Sequence, residues 1–373
     1  MKLNPLTAAE LTPGLVSVMM PAYNSERFIQ QAIDSLLAQV YRNWELILVN
    51  DGSTDATLEI ASRYTDARIH IINQPNEGEA SARNTALANM HGEFVAFLDA
   101  DDAYLPQHLE VMVAYLQVHP DRDGVYVDGM HIDQDGRMLK SLSSRRRGPF
   151  EGWVFEQLVR ASDVFGPPVC ILLRRRPIIA RGLSYDPQVT IGPDWDFNTR
   201  FAEHSCFGNL AMKTCLYRIH SSNISLTTDL QTRRDSLSRC RQKAIRMQSF
   251  ARCTVETRSY VFYELLVELL DRCPERQTEV IQWPEFLALP VSEQARILRL
   301  MATHFPTDHA DQYLVKQWLE AAARMAPSSW RAQLLFRLYL LSPLLYHFVL
   351  KLRNLGKYDR LAGSPLDDVF DGT

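Results

Sequence analysis

The sequence predicts an α/β fold: a mostly parallel sheet flanked by helices, followed by an α-helical C-terminal region. Short apolar segments alternate with amphipathic helical segments in the N-terminal part of the chain, a pattern typical of a parallel sheet with helices on both faces. Polar clusters follow directly after three of the apolar segments, and from about Leu230 onward apolar residues recur at helical spacing. We therefore predict two domains, residues 1–228 and residues 229–373.

The first half supplies the strands and helices of the predicted sheet in order. Strands are predicted at residues 16–20, 44–50, 69–73 and 94–98, with Pro21 ending the first. Between them, helices are predicted to begin at Ser25, at Thr54 or Asp55, and at Ala80, with Ser25 as the N-cap of the first. Beyond Asp102 the pattern is mixed, with strands predicted at residues 124–132, 169–173 and 213–219 and a helix at residues 192–204.

Composition excludes two classes of protein. The 373 residues are 46% hydrophobic and 23% charged, which excludes a disordered chain. A net charge of −4 excludes a dedicated nucleic-acid binder, whose domain would be strongly basic. Two segments depart from this total, because residues 140–181 and residues 324–360 each carry a net charge of +6. Each could meet an anionic lipid or a phosphorylated acceptor, or could simply be a solvated basic surface.

The sequence also predicts where the chain resides. The six cysteines form no C-x-x-C pair, which favours free thiols in a reducing compartment over a disulfide framework or a zinc site. The first thirteen residues lack the pattern of a secretory signal, and no apolar run is long enough to span a bilayer. We expect a cytoplasmic protein, with peripheral attachment to the inner face of the membrane left open.

The polar clusters predict a ligand site, because ligands of open parallel sheets bind at the carboxyl ends of the strands. Asp99 and Asp101 follow the fourth strand, and paired carboxylates there favour Mg²⁺ or Mn²⁺, which would in turn hold a diphosphate. Alternatively they form a solvated capping cluster. Asp51 follows the second strand and could accept a hydrogen bond from the imide N–H of a nucleobase or cap the next helix. Glycine-rich phosphate loops are absent from the sequence.

Four segments then resemble a known family. Residues 18–24 (VMMPAYN), 49–55 (VNDGSTD), 76–84 (NEGEASARN) and 97–102 (FLDADD) occur in this order. Together they resemble the family-2 inverting glycosyltransferases with the GT-A fold, and the resemblance covers about residues 14–225.

The resemblance implies roles for particular residues. The donor-binding set that it implies is Pro21, Ala22, Tyr23, Glu26, Asp51, Arg83, Asp99 and Ala100. Within that set, Asp51 would read the nucleobase. The implied cofactor is Mn²⁺ or Mg²⁺, with Asp101 as the metal ligand and His220 reaching the metal or the diphosphate.

The acceptor side of the resemblance departs from the family pattern. The family usually has Glu-Asp where this chain has Pro193-Asp194, and the Asp is the catalytic base. Asp194 is therefore the implied base, with Asp196 as a substitute, unless Asp194 only caps the helix that it opens. Trp153 and Trp195 could stack on sugar rings or pack in the core.

The expected activity is inverting transfer of a sugar from a nucleotide-diphosphate donor, UDP favoured, to a hydroxyl acceptor. A glycan or a lipid-linked saccharide in cell-surface polysaccharide assembly is the expected acceptor, bound by loops between residues 140 and 191. Two alternatives stay open: a nonenzymatic sugar-nucleotide sensor or scaffold, and a sugar nucleotidyltransferase. The second would normally need a glycine-rich phosphate loop after the first strand, where this chain has Pro21-Ala22-Tyr23-Asn24.

The C-terminal region ends in two predicted amphipathic helices, beginning at Ser329 and at Ser342-Pro343 and ending at Gly356. Basic residues flank their apolar stripe, which consists of Trp330, Leu334, Leu335, Leu338, Leu341, Leu345, Phe348, Val349 and Leu352. Such a helix is typical of an interfacial membrane anchor. The alternative is that the stripe packs on the catalytic domain or in a homo-oligomer interface.

Overall fold

The computed structural model describes residues 11–144, 146–221, 223, 227–269, 274–302, 312–346 and 350. The chain divides into two compact units, Met1–Cys240 and Arg241–Thr373. This division falls inside a helix, Leu230–Ile245, that begins just after the predicted boundary at 228/229. The predicted domain limits stay a prediction.

The first unit is built on a sheet that comprises nine strands among the described residues. The strands are β1 Thr12–Ala22, β2 Trp44–Asp51, β3 Ile69–Gln74, β4 Gly92–Phe97, β5 Ala103–Tyr104, β6 Gly124–Ile132, β7 Met138–Ser141, β8 Ile171–Arg174 and β9 Phe207–Arg218. The helices are α1 Ile29–Leu37, α2 Thr57–Ala61, α3 Glu79–Ala88, α4 His108–Val118, α5 Phe155–Arg160, α6 Arg175–Ala180 and α7 Pro193–Ala202. Helix α8, Leu230–Ile245, follows.

The strand order is β3-β2-β1-β4-β8-β6-β9-β5, and β7 pairs with β6. The strands β3, β2, β1 and β4 run parallel, as predicted, whereas β8 is antiparallel to both of its neighbours. Because β9 is parallel to β6, it runs in the same direction as β4. The carboxyl ends of β1, β2, β4 and β9 therefore lie at one edge of the sheet.

Burial explains the central elements. All eight residues of β2 are buried, as an apolar strand covered on both faces must be. Helix α1 buries Ile29, Ala32, Ile33 and Leu36 at helical spacing. The turn after β2 needs Gly52, which has φ +71°, and a Cβ there would lie 2.6 Å from the main-chain nitrogen of Asn76. This close approach brings the end of β2 against the loop before α3.

Several predicted element ends were wrong. Strand β1 continues through Pro21 to Ala22, and helix α1 begins at Ile29 without a side-chain cap, because the Ser25 hydroxyl donates to the carbonyl of Tyr23. Helix α2, Thr57–Ala61, begins two residues after Asp55, the later of its two predicted starts. Helix α4 was missed: the burial of its apolar residues is clear in three dimensions, but apolar side chains surround most of its circumference and obscure the helical period.

The second unit is α-helical over its described residues, which confirms the predicted C-terminal region. Its helices are α9 Val255–Leu269, α10 Pro274–Val280, α11 Pro284–Leu287, α12 Val291–Met301, α13 Gln312–Met325 and α14 Trp330–Leu341. Helices α9 and α12 each bury apolar side chains that recur at helical spacing, as predicted for the region after Leu230. Ser329 caps α14, because its hydroxyl accepts a hydrogen bond from the main-chain nitrogen of Ala332. The predicted tail from residue 351 to Gly356, including Leu352, and the stripe residues Phe348 and Val349 lie outside the described residues.

Two further predictions concern cysteines and membrane spans. Cys170, Cys206 and Cys215 are free thiols, as predicted, and Cys273 lies outside the described residues. Within the described part of the chain, none of the helices has the length and apolar character needed to cross a membrane.

Candidate active site

The site begins with Arg83, which α3 presents to the turn after β4. Arg83 is 1% exposed, and its guanidinium donates to Asp99 at 2.7 Å and to Glu79 at 2.8 Å. Burial alone would lower the pKa of Arg83, but the two carboxylates raise it well above its usual range. The side chain is therefore a fixed positive charge at the carboxyl edge of the sheet.

Asp99 lies in a strongly acidic environment. Burial raises the pKa of Asp99, and Glu79, Asp101 and Asp194 raise it further, while Arg83 opposes them. Four carboxylates around one guanidinium leave an excess of negative charge. Such an excess favours a cation or a proton at this end of the sheet.

Asp101 and His220 meet, although 119 residues separate them in the sequence. The Nε2 atom of His220 lies 2.9 Å from a carboxylate oxygen of Asp101, and the side chains are 9% and 27% exposed. Asn223 holds the histidine segment, because its side-chain oxygen accepts the His220 main-chain N–H at 2.6 Å. The structure thus brings together the two residues predicted to hold the metal.

The donor chemistry of this pair fits a divalent ion. One carboxylate and one imidazole suit Mn²⁺ well, and Mg²⁺ less well. Among the residues that the structure describes, no group of three or more His, Cys, Asp or Glu side chains could hold a metal. A metal at Asp101 and His220 would therefore take its other ligands from the diphosphate and from water.

Arg218 is a buried site residue that the sequence analysis missed. Its Nε atom donates to the carbonyl of Asp101 at 2.8 Å, one Nη atom donates to the carbonyl of Asp133 at 2.9 Å, and the other donates to the side chain of Gln31 at 2.5 Å. Its main-chain N–H donates to Asp102 at 2.9 Å. Arg218 therefore ties the acidic turn to β9 two residues before His220. The signal available in the sequence was that this charged residue ends a mainly apolar strand, β9.

Asp102 completes this acidic turn. It is buried, and one of its carboxylate oxygens makes no hydrogen bond among the described residues. Burial raises the pKa of Asp102 well above its usual range, and Asp101 and Asp99 add to the shift. Its other carboxylate oxygen accepts the main-chain N–H of Arg218, and this hydrogen bond links the acidic turn to β9.

Asp194 lies in the first turn of α7, but it is not the N-cap. That position belongs to Gly192, which has φ +73°, and Pro193 is the first helical residue. Proline suits this position because the first N–H of a helix has no partner within the helix. Burial raises the pKa of Asp194, and repulsion by Glu79 adds to the shift, whereas Arg83 lowers the pKa. The carboxylate thus belongs electrostatically to the same cluster as Arg83 and Asp99.

Asp196 is held in a different way. One of its carboxylate oxygens accepts from the Arg200 guanidinium at 2.6 Å and 3.0 Å, and its side chain is 1% exposed. The two residues lie one turn apart on α7, so their ion pair stabilises the helix. The Asp196 carboxylate is therefore engaged by Arg200 within the helix.

Asp51 organises the loop before α3. Its carboxylate accepts hydrogen bonds from the Gln74 side chain at 2.7 Å and from the main-chain N–H groups of Glu77 and Gly78 at 3.0 Å and 2.9 Å. It does not cap α2, because Asp55 bonds the N–H of Thr57. The nucleobase role stays a prediction, and the partners of Asp51 are contacts that the sequence did not reveal.

The segment from Pro21 to Glu26 is fixed on the turn after β2. The Glu26 carboxylate accepts the main-chain N–H of Ala56 at 2.9 Å, and the Glu26 N–H donates to Asp55. Tyr23 is 51% exposed, whereas Ala22 and Ala100 are buried. Tyr23 is therefore the side chain of this group that is open to stacking on a base.

The two tryptophans pack inside the first unit. Trp195 is buried and donates to the carbonyl of Leu158 at 2.6 Å. Trp153 donates to the carbonyl of Glu203 at 3.0 Å and stacks on Phe155. The core-packing alternative describes both side chains.

A cavity of about 400 Å³ lies away from these residues. It is lined by Leu11, Pro13, Glu93, Pro120, Asp123, Arg174, Arg176 and Pro177. Pro13 and Glu93 belong to the amino-terminal parts of β1 and β4. Since ligands of such sheets bind at the carboxyl ends, the acidic turn and not this cavity is the candidate active site.

Comparisons with known proteins concern the family and the fold of this chain. The sequence model described as Glycosyl transferase family 2 matches residues 17–182. An uncharacterized glycosyltransferase of Rickettsia bellii is 33% identical over 162 residues, which cover 43% of this chain and 23% of that protein. The Escherichia coli UDP-Glc:alpha-D-GlcNAc-diphosphoundecaprenol beta-1,3-glucosyltransferase WfgD is 43% identical over 103 residues, which cover 27% of this chain and 41% of that protein. The matched part thus spans less than half of either relative.

A solved structure has the same fold. The crystal structure of S. aureus TarS 1-349 gives a TM-score of 0.53 at 18% identity, covering 92% of this chain and 93% of that chain. TarS 1-349 has also been solved in complex with UDP and with UDP-GlcNAc. At this identity the likeness shows the fold. Residues 17–182 therefore form a glycosyl transferase family 2 domain on the GT-A fold.

Proposed function

We propose that the chain is an inverting glycosyltransferase that moves a sugar from a nucleotide-diphosphate donor to a hydroxyl acceptor. The observation that carries this proposal is the convergence of the Arg83–Asp99 pair, the Asp101–His220 pair and Asp194 at the carboxyl edge of the sheet. UDP-sugars are the favoured donors, since WfgD is named for UDP-Glc and TarS binds UDP and UDP-GlcNAc.

Donor binding would use both pairs. Asp101 and His220 would hold Mn²⁺ or Mg²⁺, which when bound would neutralise the charge on the leaving diphosphate. Arg83 keeps Asp99 in place and adds a fixed positive charge beside it. Tyr23 would stack on the nucleobase, with Asp51 accepting a hydrogen bond from its imide N–H.

Asp194 would act as the base. Its carboxylate would take the proton of the acceptor hydroxyl as that oxygen bonds to the anomeric carbon, while the bond from that carbon to the diphosphate oxygen breaks on the opposite face. The diphosphate would leave with the electron pair of the broken bond. Because the pKa of Asp194 is raised, we expect activity to fall toward acid from a pH above the usual aspartate value of 3.8.

The acceptor class is part of the proposal. A glycan or a lipid-linked saccharide in cell-surface polysaccharide assembly would suit the name of WfgD, whose acceptor includes diphosphoundecaprenol. The sensor and nucleotidyltransferase alternatives make different products: a sensor would bind a donor without turnover, and a nucleotidyltransferase would release pyrophosphate from a nucleoside triphosphate.

Calorimetric titration with UDP-, dTDP- and GDP-sugars in the presence of Mn²⁺ tests the proposal. We expect one class of donor to bind, namely the UDP-sugars. Asp101→Asn should weaken this binding by about tenfold or more, because one metal ligand is lost. Asp121→Asn, an exposed aspartate outside the site, is the control. Failure of all three donors to bind would contradict the proposal.

A further inference from the structure

Helix α14 carries apolar side chains on two opposite sides. Ala332 and Tyr339 are buried. On the other side, Trp330, Leu334 and Leu341 are 66%, 45% and 79% exposed. These three residues recur at intervals of four and seven, so they form one stripe along the helix.

The buried side accounts for the packing of α14 within its unit. The Gln333 side chain donates to the carbonyl of Ala323 at 2.8 Å. Tyr346, beyond the end of α14, is buried against Tyr339 and donates to the carbonyl of Ala302 at 3.3 Å. Packing therefore explains one side of the helix and leaves the stripe of Trp330, Leu334 and Leu341 in solvent. Isolated exposed leucines are ordinary on protein surfaces, but an aligned apolar stripe is typical of a binding surface.

The charged residues of α14 itself have one sign. Arg331 and Arg337 are exposed on the same helix, and the Arg331 guanidinium lies 5.5 Å from the Trp330 ring. The sequence contains no Asp or Glu between Glu320 and Asp359. Residues 324–360 contain five basic residues besides Arg331 and Arg337. A surface that is apolar and cationic without acidic residues is complementary to anionic lipid headgroups over acyl chains.

We propose that the exposed face of α14, formed by Trp330, Leu334 and Leu341 with Arg331 and Arg337, binds an anionic bilayer surface. The helix lies in the interfacial plane, with the tryptophan and leucines in the acyl boundary and the arginines at the headgroups. The helix has twelve residues, too few to span a bilayer. This surface belongs to the second unit, whereas the acidic turn belongs to the first, and the proposal does not rest on sugar transfer.

Cosedimentation of the full chain with large unilamellar vesicles tests the proposal. The vesicles are pure phosphatidylcholine or phosphatidylcholine with one-third phosphatidylglycerol. We expect binding to the anionic vesicles and at least about tenfold weaker binding to the neutral ones. The double variant Trp330→Ser, Leu341→Ser should lower anionic binding by about tenfold or more, because both side chains lose their apolar contact. Leu287→Ser, at an exposed leucine of α11, should bind as the parent chain does.

The double variant Arg331→Gln, Arg337→Gln tests the contribution of the charge. It should bind anionic vesicles more weakly, and the salt dependence of that binding should be smaller. The proposal is overturned if the parent chain ignores anionic vesicles, or if Trp330→Ser, Leu341→Ser binds them unchanged. It is also overturned if that variant converts a dimer to a monomer in light scattering while vesicle binding is absent, since the face would then contact a second copy. Circular dichroism establishes that each variant is folded, and donor binding without vesicles stays unchanged in all of them.

Discussion

Two segments of this chain carry the same net charge of +6, yet they place their basic residues differently. In residues 140–181 most of the described arginines are partly or fully buried. Four of them donate to carbonyl groups within the first unit: Arg146, Arg174, Arg175 and Arg181. In residues 324–360 the described arginines, Arg324, Arg331 and Arg337, are exposed. Net charge alone therefore does not locate a binding surface.

Arg174 illustrates the first arrangement. It pairs with Glu93 at 3.0 Å and donates to the carbonyls of Arg122 and Leu116 at 2.9 Å and 2.6 Å. Arg181 and Arg146 likewise donate to the carbonyls of Phe201 and Val127. These arginines hold chain segments together, so much of the charge expected beside the acceptor has a structural use. Among the described residues of these two segments, the C-terminal one presents its charge together with exposed apolar side chains.

The largest difference in stability between substitution of a buried and of an exposed arginine is expected at Arg218. Of the arginines discussed for the first unit, it makes the most hydrogen bonds. We expect Arg218→Met to lower the free energy of unfolding by about 3 kcal/mol or more, because several buried acceptors lose their donor. Arg331→Met in the exposed face of α14 should change it by no more than about 0.5 kcal/mol. Urea denaturation followed by circular dichroism measures both values. Equal losses would contradict the comparison.

Arg218 is also expected to position the turn at Asp101. Arg218→Lys should keep the fold better than Arg218→Met, yet should weaken Mn²⁺ binding measured by titration calorimetry, since lysine cannot donate in three fixed directions. Arg181→Lys, at an arginine that donates to Phe201 and Ser205, is the control. Unchanged Mn²⁺ affinity in Arg218→Lys would leave Arg218 with a purely structural role.

A smaller effect is expected at Arg174, which is partly exposed. Arg174→Met should cost about 2 kcal/mol of unfolding free energy, because two carbonyls lose a donor and Glu93 loses its counter-charge. Arg337→Met should cost almost nothing, but it should reduce binding to anionic vesicles. Chemical denaturation and vesicle cosedimentation, run on both variants, separate the two arrangements. The comparison fails if Arg174→Met weakens vesicle binding as strongly as Arg337→Met does.

The smallest effect concerns His108, a buried group that must stay neutral. Burial lowers the pKa of His108 from 6.5 to about 3, and its ring bonds Thr214 at 2.9 Å. Because the unfolded chain binds the proton more tightly, stability falls as the pH drops through 6.5, by about 1 kcal/mol between pH 7 and pH 5.5. His108→Gln should remove this slope, whereas His119→Gln, at an exposed histidine, should keep it. Chemical denaturation at pH 7 and at pH 5.5 measures the free energy of unfolding of each variant. An unchanged dependence of this free energy on pH in His108→Gln would contradict the assignment to His108.

Apolar runs are local signals, and they predicted the parallel strands and the helical C-terminal region. The expectation that Asp101 and His220 act together came from the family resemblance, and the two side chains are in contact in the structure. The partners of Asp51 could not be predicted, since Gln74 and Gly78 reach it only after β3 and α3 have packed. Arg218 was missed for the same reason: its acceptors come from three separate segments. The N-cap assigned to Ser25 failed because the hydroxyl bonds the preceding turn instead.

The two aspartates of α7 test the central claim most directly. Release of UDP from the best-bound UDP-sugar, in the presence of Mn²⁺ and an acceptor panel, is compared among the parent chain, Asp194→Asn and Asp196→Asn. We predict that Asp194→Asn loses about 10²- to 10⁴-fold in turnover while donor affinity is kept, as expected for a general base. Asp196→Asn, whose carboxylate is already bonded to Arg200, should retain most of its turnover. Full turnover in Asp194→Asn would contradict the assignment of the base and with it the proposed mechanism.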